Sequence, residues 1–115
     1  MAVPHKLLAQ SKIAAANVQQ QVYRPSGAGV VGADISKITV CNGEATAQTF
    51  RLTIDPEDRA SVDDTIGNAD RWDAAIPAND TYTIWSVGLQ AGAALNVKAS
   101  SVNMCVNVFG REITS

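Results

Sequence analysis

The chain has 115 residues, of which 46% are hydrophobic, and its formal net charge is −2 at pH 7. This length predicts one domain whose core is large enough to need neither metal ions nor disulfides. The weak acidic balance argues against nucleic acid as a partner, since proteins that bind nucleic acid carry a basic face.

The first 18 residues lack strict alternation of apolar and polar side chains. We interpret residues 1–18 as an N-terminal arm or a first edge strand, followed by a single domain over residues 19–115. The start of the chain is not followed by the apolar segment of a secretory signal, and no apolar run is long enough to span a membrane. We therefore expect synthesis and folding in the cytosol, without a membrane partner.

Two strands are predicted on either side of an Asn-Gly dipeptide. Residues 35–41 alternate around Ile38 and Val40, and residues 49–54 place Phe50 and Leu52 on one face. Asn42-Gly43 is a tight-turn signal, so we predict a hairpin between the two segments.

The last third of the chain has the clearest period of two. Residues 81–87, 95–99 and 102–109 are three runs in which apolar residues alternate with polar ones. Such a period is typical of half-buried antiparallel strands. With about eight strands at short, turn-punctuated spacing, the sequence predicts an all-β fold, a single antiparallel β-sandwich of jelly-roll or Ig-like type with an N-terminal arm.

An acidic stretch interrupts these strands. Residues 55–73 contain seven acidic and two basic residues, and residues 55–67 have no strand period. Several carboxylates in one loop raise the possibility of a bound cation, but the spacing of a calcium loop is absent and Arg59 would compete for the same oxygens. A solvated loop is the favoured interpretation, and we expect no metal and no cofactor.

Catalytic patterns are poorly represented. The one histidine, His5, lies in the N-terminal segment, and Cys41 and Cys105 lack the spacing of a zinc site. We therefore predict that the protein is not an enzyme. The two cysteines fall off phase from the apolar face of their strands, which allows them to lie near each other. In a reducing compartment we expect them to be free thiols.

The two tryptophans are candidate contacts with another molecule. Alternation places Trp85, Val87 and Leu89 on the face of their strand opposite Ile84. A strand with apolar groups on both faces is either covered on both sides or bound to a partner, and large aromatic residues are common interface anchors. Trp72 lies between Arg71 and Asp73, at the end of the acidic stretch, and is the better candidate for an exposed contact.

Strand and turn motifs run through the whole chain in a consistent order. After residues 1–11 they are Val22-Tyr23-Arg24-Pro25, Ile38-Thr39-Val40-Cys41-Asn42, Phe50-Arg51-Leu52, Ile76-Pro77-Ala78-Asn79-Asp80-Thr81, Gly88-Leu89-Gln90-Ala91-Gly92 and Val108-Phe109-Gly110-Arg111-Glu112-Ile113. Together they resemble the small β-sandwich virion proteins encoded in the structural modules of tailed bacteriophages.

This resemblance implies a structural component of the virion, made in the host cytoplasm and commonly oligomeric. The leading hypothesis is a capsid cement (decoration) protein that binds the major capsid protein and associates with itself, as a homotrimer or a similar small oligomer. The alternatives are a tail, neck or baseplate component and a glycan-binding attachment module, for which Trp72 is the candidate sugar platform.

On the cement hypothesis, residues 3–16 form an arm that orders when the protein docks. Leu7, Leu8 and Ile13 are then its anchors, and Trp72 and Trp85 complete the predicted interface. The alternative is that the same segment is an ordinary first strand, whose removal would unfold the protein.

Overall fold

A computed structural model describes residues 6–25, 28–55, 69–90 and 92–114. Within these ranges the chain forms eight strands. They are β1 (Lys6–Lys12), β2 (Gln20–Tyr23), β3 (Val30–Asn42), β4 (Gln48–Asp55), β5 (Ala69–Ile76), β6 (Thr81–Gln90), β7 (Ala94–Ala99) and β8 (Met104–Thr114). The same ranges contain no helix that is long and apolar enough to cross a membrane.

The strands form two antiparallel sheets of four. The order is β1-β8-β3-β6 in the first sheet and β2-β7-β4-β5 in the second. Strand pairs β1–β8, β2–β7, β3–β6 and β4–β5 therefore nest inside one another, which is the arrangement of an eight-stranded jelly roll. The predicted antiparallel β-sandwich is confirmed, and the strand order agrees with the jelly-roll alternative.

The core lies between the two sheets. Its side chains that are at most 1% exposed include Ile38, Val40, Ile84, Val106 and Val108 from the first sheet, and Phe50, Leu52, Ile76, Leu95 and Val97 from the second. An edge-to-face contact between the rings of Phe50 and Tyr82, with centroids 5.2 Å apart, joins the two layers. Burial of one such side chain contributes roughly 1.5–3 kcal/mol, so the alternating pattern itself drives the sandwich together.

The hairpin predicted around Asn42-Gly43 is wrong. The strand over residues 35–41 belongs to the first sheet and the strand over residues 49–54 to the second, so the chain crosses between the sheets instead of turning back. Five residues separate β3 from β4, which is longer than the two-residue loop that an Asn-Gly hairpin requires.

The crossing is fixed by a buried amide. Asn42 is 3% exposed, and its Nδ2 lies 3.0–3.1 Å from the carbonyl oxygens of Thr46, Ile76 and Pro77. Its Oδ1 accepts a hydrogen bond from the backbone N–H of Glu44 at 2.9 Å. Asn42 thus provides a partner for the carbonyl of Ile76, which is fully buried, and it ties the crossing to the end of β5. This role is different from that of an Asn-Gly tight turn.

The N-terminal segment joins the first sheet. Residues 6–12 form edge strand β1, which pairs with β8 from Lys6 opposite Gly110 to Lys12 opposite Cys105. Of the two interpretations drawn from the sequence, residues 6–12 therefore follow the edge strand. Residues 1–5 lie outside the described part of the chain.

A second link between the sheets involves a tyrosine. Tyr23 in β2 is 9% exposed, and its hydroxyl donates a hydrogen bond to a carboxylate oxygen of Glu112 in β8 at 3.0 Å. Burial raises the pKa of the Tyr23 phenol well above its ordinary value, and the hydrogen bond to Glu112 and the negative charge of that residue act in the same direction.

We predict that the free energy of unfolding falls as the pH rises above about 10. The ordinary phenol pKa is 10.0, so the unfolded chain releases the proton there while the folded chain retains it, and ionisation favours unfolding. Urea unfolding from pH 8 to pH 11 measures this slope. Tyr23→Phe should lose about 1 kcal/mol at pH 8 and show a shallower alkaline slope than the wild type. Equal slopes would contradict the role of Tyr23.

Candidate functional site

The side of the first sheet that points away from the core is a continuous surface, which we call the outer face. It is built from Leu7, Gln10 and Lys12 of β1, Phe109, Asn107 and Cys105 of β8, Lys37, Thr39 and Cys41 of β3, and Trp85, Thr83 and Thr81 of β6. The strand register arranges these twelve residues in three rows that run across the sheet.

The first row, which we call the aromatic row, is the most apolar. It contains Leu7, Phe109, Lys37 and Trp85, which are register neighbours across all four strands. Trp85 is 67% exposed and Leu7 is 47% exposed. The Lys37 ammonium lies 4.9 Å from the centroid of the Phe109 ring, within cation–π range, so the lysine covers one aromatic ring and leaves the tryptophan open.

A change of phase in β6 puts Trp85 on this face. Lys37 pairs with Trp85 and Ile35 pairs with Val87, but the residues between them, Ser36 and Ser86, do not form a register pair. Ser86 of β6 has a φ of +56°, in the left-handed region. Val87 therefore returns to the core, where it is 8% exposed.

The prediction that Trp85, Val87 and Leu89 share one face is therefore wrong. Leu89 is 6% exposed and lies with Val87 on the inner side, while Trp85 projects outward by itself. Strict alternation assumes that every residue advances the strand by the same step, and a single residue in the left-handed region breaks that assumption.

The second row is polar and hydrogen-bonded. Gln10 donates from Nε2 to Oδ1 of Asn107 at 2.7 Å, and Asn107 donates from Nδ2 to Oγ1 of Thr39 at 3.4 Å. Thr83 completes the row on β6. These bonds link side chains of β1, β8 and β3, so they hold the centre of the outer face in one arrangement.

The charged side chains of the outer face are all positive. Lys12 and Lys37 are its charged residues, and the twelve residues include no carboxylate. Beyond the aromatic row, Asp34 and Arg111 are register partners, and Nε of Arg111 lies 3.5 Å from Oδ2 of Asp34. The outer face is therefore weakly basic, and its chemistry fits a neutral or acidic protein surface.

The predicted N-terminal anchors fall in three different environments. Leu7 lies on the outer face, while Leu8 is half-buried and packs against the core at the point where the β1–β8 register shifts. Ile13 is 2% exposed and its backbone N–H donates to the carbonyl of Met104 at 3.0 Å. The structure thus places Ile13 inside the core, and Leu7 is the one of the three that is available for an external contact.

Trp72, the other predicted contact, lies on the second sheet and is 36% exposed. The Arg51 guanidinium carbon is 3.8 Å from the centroid of its ring, so one face of the indole is occupied. Arg51 also donates to Asp73, from Nε to Oδ1 at 2.6 Å and from a terminal nitrogen to Oδ2 at 3.1 Å. These hydrogen bonds hold the pKa of the Asp73 carboxyl below its ordinary value.

The outer face thus includes Leu7 and Trp85, whereas Trp72 belongs to the other sheet. Sequence reasoning missed Phe109 and Lys37 as members of the site. A signal was present for Phe109, since it is off phase from Val106 and Val108 and must point away from the core.

The acidic loop predicted over residues 55–67 lies almost entirely outside the described residues. The solvated-loop interpretation of that segment and its cation-binding alternative therefore stay predictions. Among the residues that the structure does describe, no group of three or more His, Cys, Asp or Glu side chains is arranged to hold a metal ion.

Comparisons of the chain with protein-family models, with curated proteins and with solved structures gave no match.

Proposed function

We propose that the protein is a virion structural protein of a tailed bacteriophage, and that it acts as a capsid cement protein. In this proposal the outer face docks on the major capsid protein, and the role is structural instead of catalytic. The observation that carries the proposal is the aromatic row, in which Trp85 projects from a sheet face and is 67% exposed.

The aromatic row has the composition of an interface centre. Trp is among the residues that most often dominate the energy of a protein interface, and the polar row beside the aromatic row gives that centre a hydrophilic border. The molecule measures 44 × 30 × 21 Å, so its broad side is large enough for the roughly 800 Å² per partner that a stable interface buries.

The fold is compatible with this role. Eight-stranded jelly rolls occur in viral capsid domains and in lectins, and they present broad sheet faces with short connections. One fold serves many functions. The fold therefore supports a place in a virus particle, whereas the outer face supports docking on the capsid shell.

Stabilisation of a shell by such a protein follows from linkage. A protein that binds the assembled shell and not its dissociated subunits shifts the equilibrium toward the assembled state by its binding free energy. We propose that it is made in the host cytoplasm, associates with itself as a homotrimer or similar oligomer, and is carried in the virion, with neither nucleic acid nor membrane as its partner.

The copy number per particle tests this proposal. Quantitative mass spectrometry of purified virions compares the protein with the major capsid protein, and we expect hundreds of copies in a fixed ratio. A handful of copies would contradict the cement role and favour a tail, neck or baseplate position. Absence from the particle would overturn the structural proposal, and a glycan-binding role would then have to be tested.

A further inference from the structure

The third row of the outer face, which we call the thiol row, holds both cysteines of the chain. Cys41 of β3 and Cys105 of β8 are direct register partners, with Lys12 beyond Cys105 and Thr81 beyond Cys41. Both thiols are free and half-buried. The sequence allowed the two cysteines to lie near each other, and the strand register places them side by side.

The spacing of the two backbones suits a disulfide. The backbone N–H of Gly43 donates to the carbonyl of Asn103 at 2.9 Å, two residues along the same ladder. Since hydrogen-bonded pairs alternate in an antiparallel ladder, Cys41 and Cys105 form a hydrogen-bonded pair, for which the Cα atoms are about 5.5 Å apart. Disulfides join Cα atoms that are roughly 4.4–6.8 Å apart. Both side chains point to the same face. Opposite Cβ atoms in a ladder are about 4.5–5.5 Å apart, with hydrogen-bonded pairs at the long end, whereas a disulfide joins Cβ atoms roughly 3.5–4.5 Å apart. The two strands must therefore draw slightly together, and the resulting strained bond is readily reduced.

The surroundings of the two sulfur atoms differ. Thr81 donates from its hydroxyl to Sγ of Cys41 at 3.6 Å. Burial raises the pKa of the Cys105 thiol, and the neighbouring Cys41 adds to the rise, although Asn107 donates to its sulfur at 3.7 Å. Cys41 is therefore the better placed to attack first, and Cys105 to react second.

A small reagent has access to both sulfurs. A groove of about 440 Å³ opens beside the two thiols and is lined by Gln10, Lys12, Cys41, Gly43, Asn103, Met104 and Cys105. Lys12 gives this groove a positive charge, which favours an anionic reagent.

We propose that Cys41 and Cys105 form a reversible modification site that is oxidised to a cross-strand disulfide by low-molecular-weight disulfides such as glutathione disulfide. The Cys41 thiolate attacks one sulfur of the reagent, which forms a mixed disulfide and releases one reagent thiol. The Cys105 thiol then displaces the second reagent thiol. Two protein thiols and one reagent disulfide give one protein disulfide and two reagent thiols. This site does not depend on the proposed function.

The test is incubation of the purified, reduced protein with glutathione disulfide, followed by intact-mass measurement and non-reducing tryptic mapping. We expect loss of two hydrogen atoms, a linked pair of the peptides 38–51 and 99–111, and recovery of two thiols with dithiothreitol. The proposal would be overturned if both thiols persisted or if the wild type remained glutathionylated. Disulfide links between separate molecules would also overturn it.

Two variants test the order of attack. Cys105→Ser retains the attacking thiol and should accumulate one glutathionyl group on Cys41. Cys41→Ser retains the resolving thiol and should be modified more slowly. The reverse order would overturn the assigned roles. The linked peptides of the wild type test the site itself even if a variant does not fold.

Discussion

Gly110→Ala is expected to destabilise the protein by about 3 kcal/mol or more, a large fraction of the stability of a domain of this size. A Cβ atom at Gly110 would lie 2.3 Å from the carbonyl oxygen of Asp34 and 2.8 Å from Cα of Ile35. Both atoms belong to the backbone of β3, so the clash is relieved only if the two central strands of the first sheet separate. Urea unfolding at neutral pH measures the loss.

Gly88→Ala is the matched control for this substitution. Gly88 lies in β6 of the same sheet and is exposed, and a Cβ atom there would meet no other atom within 4 Å. The free energy of unfolding of Gly88→Ala should stay within about 0.5 kcal/mol of the wild-type value or rise slightly, since alanine restricts the conformations of the unfolded chain. Equal stabilities of the two variants would show that the approach of β8 to β3 at Gly110 is not as close as the structure has it.

Trp85→Ala is expected to weaken binding to capsid shells that lack this protein by about 30-fold or more. This factor corresponds to the roughly 2 kcal/mol that defines a dominant interface residue. Because Trp85 is 67% exposed in the free protein, its removal leaves the core intact and the unfolding free energy nearly unchanged. Co-sedimentation of each variant with stripped shells over a range of concentrations measures the affinity.

Trp72→Ala is the control, since it removes the same kind of side chain from the other sheet. Trp72 already stacks against Arg51, so we expect this variant to keep its affinity for the shell. Full affinity of Trp85→Ala, or a loss confined to Trp72→Ala, would exclude the outer face as the docking surface.

Alternation in the sequence predicted the strands well, because a residue that faces the core must be apolar. In β8, for example, Met104, Val106 and Val108 are at most 2% exposed, as the period of two requires. The pairing of strands was harder to predict, since Asn42-Gly43 is compatible with a tight turn and with a crossing between sheets. Only the tertiary structure reveals that the Asn42 amide has partners in three other backbone carbonyls.

The sequence identified several residues of the candidate site but not how they are arranged in space. Cys41 and Cys105 were off phase from the apolar face, which is visible in the sequence, but their pairing depends on the register between β3 and β8, which are distant in the chain. Trp85 was identified as a possible contact, yet its separation from Val87 depends on the backbone of Ser86. A positive φ at a serine leaves no signal in an apolar–polar pattern.

The most direct test of the central claim is hydroxyl-radical footprinting of the two tryptophans, in the free protein and in purified particles. In the free protein we predict that Trp85 is oxidised faster than Trp72, since their exposures are 67% and 36%. In the particle we predict that oxidation of Trp85 falls to background while that of Trp72 is unchanged. Persistent oxidation of Trp85 in the particle would contradict docking through the outer face.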